Sequence, residues 1–243
     1  MALKKGDFVL VEYEIRTKDT NRLVDTTDEE LAKKEGIYEE DRVYGPVLVI
    51  VNEGKLIPGL EEAIASMDVG EEKTVEIPPE KAYGPHDPSK VKTFSLGAFR
   101  RRGILPKPGD LIEVNGQVAR VVAVSGGRVI LDFNHPLAGK TLVARIRVVA
   151  KLEKDEEKVK YLAARRLRVK PDDVKVEVDR DAGLVRIRLS TRAALRATPS
   201  AKIVLVDEIR RYLGWPKKVE IVEEYEIRRG EEKSGEEGGE ASQ

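Results

Sequence analysis

Residues 142–152 alternate over a full strand's length. Leu142, Ala144, Ile146, Val148, Ala150 and Leu152 share one face, and Arg145, Arg147 and Lys151 take the other. A period of two marks a β-strand with one buried face. Residues 7–15, DFVLVEYEI, show the same pattern near the start of the chain, with Val9, Val11, Tyr13 and Ile15 opposite Glu12 and Glu14. The chain between these strands changes character at 85–136, and an inserted domain explains that pattern.

The other elements follow from the same signals. VLVIV (47–51) is a continuous apolar run, expected to be a well-buried strand. The charged stretch from Asp25 to Tyr44 loses alternation and reads as a helical or irregular excursion. A helix is predicted over 58–67. Pro58 opens it, since its missing N–H costs nothing in a first turn. Glu61 and Glu62 complement the helix dipole, and Leu60, Ile64 and Met67 form one face. KTVEI (73–77) is a further strand running into Pro78-Pro79.

The 85–136 stretch carries a basic turn, Arg100-Arg101-Arg102, then two strand-like runs, LIEVNGQVARVVAV and GRVILDF, split by Ser125-Gly126-Gly127. It reads as a small all-β module. Beyond it, a helix is predicted at 155–168, with strands at 174–179 and 184–190 around Asp181-Ala182-Gly183. A second helix is expected at 200–213, stopped by Gly214, and a last strand at 218–228. That makes 155–228 an αββαβ unit. Residues 230–243 carry five Glu and one Lys with nothing apolar to bury, so they are expected to be disordered.

Composition narrows the function. The 243 residues allow one to three domains at about 100–200 residues each. Lys plus Arg is 44 and Asp plus Glu is 44, which argues against bulk polyanion binding, so no nucleic-acid partner is expected. The Arg100–Arg102 turn reads as a solvated loop. The chain has no Cys and only two His, His86 and His135. Disulfide frameworks, thiol nucleophiles and Cys- or His-rich metal sites are therefore excluded. No 18-residue apolar run exists and MALKKGDFVL lacks an apolar signal core, so no membrane partner and a cytoplasmic location are expected. Two Met, four Asn and two Gln beside abundant Glu, Lys and Arg form a thermophile-type bias. NHPLAGKT (134–141) ends like a phosphate loop. However, Asn134 stands where the first Gly belongs, Pro136 removes an N–H, and a strand follows.

What remains is a set of polar residues in apolar segments: Tyr13, Asp25 in LVDTT, and Tyr83 in PPEKAYGP. Taken singly, Tyr13 is an ordinary strand aromatic and Asp25 a turn residue. Their order carries more. Tyr13, then VDTT, Pro46 and an apolar strand, EGKLIPGLE (53–61), IPPEKAYG (77–84) and NHPLAG (134–139) together resemble the FK506-binding-protein (FKBP) family of peptidyl-prolyl cis-trans isomerases. The likeness is narrowest to the SlyD-type and long archaeal branch, and it spans roughly residues 3–153.

The resemblance implies an α+β fold: a bent antiparallel sheet around one short helix, an inserted all-β insert-in-flap (IF) domain, and a C-terminal αββαβ domain. The implied division is 1–84 with 137–153 for the isomerase domain, 85–136 for the insert, 154–229 for the C-terminal domain and 230–243 for the tail. The implied activity is rotation of X-Pro bonds, with unfolded chains held by the insert. The implied partners are unfolded or proline-containing polypeptides. A homodimer or substrate binding through the C-terminal domain, where Trp215 reads as a core or interface anchor, is a further expectation.

The residue types suit that chemistry. The X-Pro barrier of about 18–20 kcal/mol reflects partial double-bond character. The twisted transition state is less polar than the planar amide, so an apolar cup lowers the barrier, and preorganised donors hold the twisted form. No cofactor or metal is called for. By resemblance Tyr13, Asp25 and Tyr83 are the catalytic residues. Val24, Val47, Leu56, Ile57, Leu60 and Ala144 bind substrate, with Phe133 and Leu137 filling space. Val24, Val47, Leu60 and Ala144 stand where the family often has aromatic residues, which thins the cup. That departure motivates an alternative reading as a holdase with weak isomerase activity.

Overall fold

The computed structural model describes residues 3–227 and divides between Glu153 and Lys154 into two compact units. The expected disorder of 230–243 lies outside the described residues.

The first unit opens with β1 (Phe8–Thr17), β2 (Leu23–Thr26), α1 (Glu29–Lys34), β3 (Val47–Ile50), α2 (Pro58–Ala65) and β4 (Glu72–Ile77). Asp28 caps α1 by accepting from the Leu31 N–H at 3.0 Å, and Lys33 and Lys34 close it. The charged stretch thus holds a strand end, a short helix and an irregular loop. The insert follows with β5 (Val91–Ser95), α3 (Leu96–Arg100), β6 (Leu111–Val114), β7 (Gln117–Ser125) and β8 (Arg128–Asp132). The chain then returns through β9 (Leu142–Leu152).

β9 lies antiparallel to β1 from Phe8↔Leu152 to Thr17↔Leu142. The two alternating segments that frame the first 152 residues are therefore direct neighbours. The five-stranded sheet runs β2-β1-β9-β4, with β3 also on β1. α2 packs against β4 and β9. Leu60, Ala63, Ile64 and the following Met67 pack in one buried cluster with Val9, Val11, Val49, Ile77, Ala144 and Ile146. The helix ends at Ala65 with Ser66 as its cap, two residues short of the predicted 67. Gly59 permits the close approach: a Cβ there would stand 2.3 Å from Ile77 Cγ2.

The insert is a four-stranded antiparallel sheet in the order β5-β8-β7-β6 with its own core of Phe99, Ile112, Val114, Ala119, Val121, Val129 and Leu131. Two expectations are corrected here. The module is not wholly β, because α3 seats Phe99 in that core; Arg100 ends this helix, and Arg101 and Arg102 lie in the exposed turn after it. LIEVNGQVARVVAV is a hairpin, β6–β7, since Asn115 and Gly116 both take positive φ (52° and 77°), as a two-residue hairpin turn requires.

The second unit comprises α4 (Asp155–Leu167), β10 (Val174–Asp179), β11 (Leu184–Leu189), α5 (Thr191–Arg196), α6 (Pro199–Leu213) and β12 (Lys218–Glu223). Arg168 and Gly214 end α4 and α6 in left-handed conformation. β10 and β11 form the predicted hairpin, β12 joins β11 in parallel, and α4 packs on β10 and α6. The unit is αββααβ rather than αββαβ. Ser190 caps α5 through the Ala193 N–H at 3.3 Å, and the helix is too short to show a period in sequence. β12 stops at Glu223, short of the expected 228. Both units are α+β.

Candidate functional site

The site begins where β1 and β2 pair. Asp25 lies opposite Ile15 across that ladder, and the Tyr13 hydroxyl donates to Asp25 Oδ2 at 2.9 Å. Asp25 Oδ1 accepts from the Thr26 N–H at 2.8 Å and pairs with Arg42 Nη1 at 2.6 Å. Arg42 Nη2 also donates to the Thr26 carbonyl at 2.9 Å and to the Tyr13 hydroxyl oxygen at 3.4 Å. The guanidinium carbon lies 5.2 Å from the Tyr44 ring centre. Asp25 Oδ2 is thus held by Tyr13 and Oδ1 by Thr26 and Arg42, and the phenol is aimed.

The electrostatics match the geometry. Burial drives the Tyr13 hydroxyl pKa well above its ordinary value, and the Asp25 carboxylate drives it further. Tyr13 is therefore a neutral donor. Burial works against the Arg42 charge, yet the hydrogen bond to Asp25 together with attraction to Asp25, Tyr13 and Tyr44 outweighs it and leaves the pKa raised.

Beside this pair the residues expected to form an apolar cup pack on one cluster. Tyr13, Val24, Val47, Leu56 and Ile57 are half-buried against the same cluster in which Leu60 and Ala144 are fully buried. Glu61, on α2, accepts from the Gly54 N–H at 2.8 Å and the Leu56 N–H at 3.2 Å, which ties the loop bearing Leu56 to the helix.

The remaining predicted residues fall elsewhere. Tyr83 follows Ala82, which packs on the cup's cluster, and is 39% exposed. Its ring stacks on His135, 4.3 Å between centres and 4° from parallel. Leu137 is half-buried beside His135, whose Nδ1 accepts the Leu137 N–H at 3.2 Å. Phe133 packs in the insert's core, 6.2 Å from Phe94, rather than with the cup's cluster. Sequence reasoning missed Arg42. It sits 17 residues past Asp25 in a run of charges, and only the fold shows which one turns inward. A cleft of about 510 Å³ also opens at β1, β4 and β9. Tyr13 and Tyr44 line it together with Glu12, Glu14, Glu72, Arg145 and Arg147, and the pairs Arg145–Glu72 (2.6 Å) and Arg147–Glu12 (3.9 Å) give it a charged side.

Comparison with known proteins is decisive for the family. The "Short-type peptidyl-prolyl cis-trans isomerase" of Methanocaldococcus jannaschii is 44% identical over 146 residues, covering 60% of this chain and 92% of that protein. The chain belongs to the FKBP-type peptidyl-prolyl cis-trans isomerase family. The FKBP-type isomerase model matches residues 1–97, the FKBP26 IF-domain model 95–137 and the FKBP26 C-terminal model 155–226. The FKBP-type isomerase SlyD of Helicobacter pylori is 31% identical over 157 residues, covering 62% of this chain and 75% of that protein. SlyD of Escherichia coli K12 is 29% identical over 164 residues, covering 66% and 76%. This FKBP is thus a peptidyl-prolyl isomerase carrying an insert and a C-terminal domain. Among the described residues no helix is long and apolar enough to cross a membrane.

Proposed function

We propose that this FKBP rotates X-Pro bonds in a cup walled by Val24, Val47, Leu56 and Ile57 over the buried Leu60 and Ala144, with Tyr13, Asp25 and Tyr83 as its polar residues. The observation that carries this reading is the Tyr13–Asp25 pair, locked by Arg42 at the edge of an apolar cluster. An apolar wall withdraws the water that favours the planar, more polar amide. A fixed hydroxyl and a fixed carboxylate need no reorganisation as the bond twists. No covalent step or proton transfer enters. Tyr83, accessible and next in the chain to Ala82 on the same cluster, supplies a phenol to the substrate carbonyl. The test is proline-limited refolding of a reporter protein. Asp25→Ala and Tyr83→Phe are each expected to lower kcat/KM by about tenfold, the scale of one charge-assisted or well-aligned hydrogen bond. Wild-type rates in both variants would overturn the site.

The proposed division is 1–84 with 137–153 for the isomerase domain, 85–136 for the insert and 154–229 for the C-terminal domain, in a cytoplasmic folding factor. The insert is read as the surface that holds unfolded chains. Its sheet turns Ile112, Val114, Ala119 and Val121 inward and leaves Leu111, Val118 and Val122 more than half exposed on the outer face. Such a patch suits extended apolar segments. Replacing these three by Ser is expected to abolish suppression of aggregation while leaving isomerisation of a short proline peptide intact. Aggregation suppressed with no gain in refolding rate would instead make the chain a holdase. For the C-terminal domain, exposed Leu195 and Ile203 support a dimer surface. Sedimentation of the full chain against Ile203→Lys tests it, and equal monomers reject it.

A further inference from the structure

The Tyr83 side chain presents a difficulty for the site. A tyrosine 39% exposed would ordinarily sample several rotamers, and a freely turning phenol is a poor preorganised donor. The structure holds that ring by one face. His135 lies parallel to it at 4.3 Å and 4°, from the opposite crossing between core and insert.

His135 is itself fixed. Its Nδ1 accepts from the Leu137 N–H at 3.2 Å. Its own carbonyl accepts from the Ala138 N–H at 2.9 Å, closing a turn. The two crossing segments are tied by Gly139 N–H to the Gly84 carbonyl at 2.8 Å, and Gly84 N–H is tied to the Pro79 carbonyl at 2.7 Å. His135 is exposed, so core packing does not account for its place.

We infer that His135 is a positioning residue for isomerisation, setting the Tyr83 ring so that its hydroxyl stands ready for the substrate carbonyl. This rests on the reading of Tyr83 as a substrate-contacting residue. His135 touches no reacting atom.

The test measures kcat/KM on a short proline peptide for the full chain and for His135→Ala, His135→Phe, Tyr83→Phe and the double variant His135→Ala/Tyr83→Phe. His135→Ala is expected to lose about three- to tenfold, the scale of an aromatic pair. His135→Phe keeps a stacking face and is expected to recover most of that loss. In the Tyr83→Phe background, where no hydroxyl remains to aim, His135→Ala is expected to cost nothing further. The Tyr83 ring protons should resonate upfield in the wild type and His135→Phe, and return toward ordinary values in His135→Ala. An equal loss in both backgrounds would make His135 a structural clip and overturn the inference, as would a wild-type rate in His135→Ala. A wild-type rate in Tyr83→Phe would overturn the Tyr83 reading itself, and the inference with it.

Discussion

The Tyr13 hydroxyl donates to Asp25 Oδ2 at 2.9 Å, joining adjacent strands at the edge of the cup. Arg42 takes the other carboxylate oxygen at 2.6 Å, from a loop between α1 and β3. The pair is therefore held from a third element, and its geometry depends on a residue that is itself no part of the apolar cup.

Arg42→Ala is expected to lower both stability and activity. The Arg42 and Asp25 side chains are 26% and 33% exposed, so removing the cation leaves a partly desolvated carboxylate with one partner fewer. The cost is about 1–2 kcal/mol, read from the urea midpoint. Isomerase kcat/KM should fall several-fold, because only the Tyr13 hydroxyl and the Thr26 N–H then orient Asp25. Arg42→Lys restores charge but not the fork that also grips the Thr26 carbonyl, so its rate should lie between.

Tyr13→Phe is expected to flatten the alkaline side of the stability curve. Burial and the Asp25 carboxylate raise the folded-state pKa of this phenol. The unfolded chain therefore loses its proton first, near pH 10. The contribution is fully present below that pH and is lost as pH rises toward the folded value. Urea midpoints from pH 9 to 11 should fall more steeply for the wild type than for Tyr13→Phe.

The sequence carries the period-two and helix-face signals, so β1, β9, α2, α4 and α6 were legible in it. Short elements were not. α5 has too few residues for a period, and in β6–β7 the alternation continues through Asn115-Gly116, hiding the turn. Of the expected site residues, Tyr13, Val24 and Leu60 pack in or against one buried cluster. Arg42 lies in a run of charges whose inward member only tertiary packing selects. Phe133 adjoins the NHPLAG segment in sequence, yet it packs beside Phe94 in the insert.

Gly59→Ala weighs two opposed effects in α2. Ala is a better helix former than Gly by about 1 kcal/mol. Yet the added Cβ would stand 2.3 Å from Ile77 Cγ2, and Ile77 is buried in the core at 1% exposure. Overpacking at about 1–3 kcal/mol wins, so the variant should be less stable in urea. In an Ile77→Ala background the clashing carbon is gone, and Gly59→Ala should become neutral or stabilising. Equal destabilisation in both backgrounds would show that the close approach is not the cause.

Acid should loosen the crossing into the insert before it loosens the main sheet. Asp132 Oδ1 accepts from the Asn134 N–H at 2.9 Å and from Asn134 Nδ2 at 2.8 Å, and His86 Nε2 lies 3.0 Å from Oδ2. Asn134 Oδ1 in turn accepts from the Asp87 N–H at 3.0 Å, so one carboxylate organises both strands of the crossing. Burial alone would raise the Asp132 pKa, but the bonds from Asn134 and His86 overcome it and hold the carboxyl below its ordinary value. A depressed folded-state pKa means the stabilisation is complete above the unfolded value, near pH 4. It is lost as pH falls through the folded one. Hydrogen-exchange protection at Asp87 N–H and Asn134 N–H should therefore drop between about pH 4 and pH 2 while β1–β9 amides stay protected. Asp132→Asn cannot titrate, so its protection at these amides should start lower at neutral pH and change little across the same range. A parallel decline in both proteins would place the acid sensitivity elsewhere.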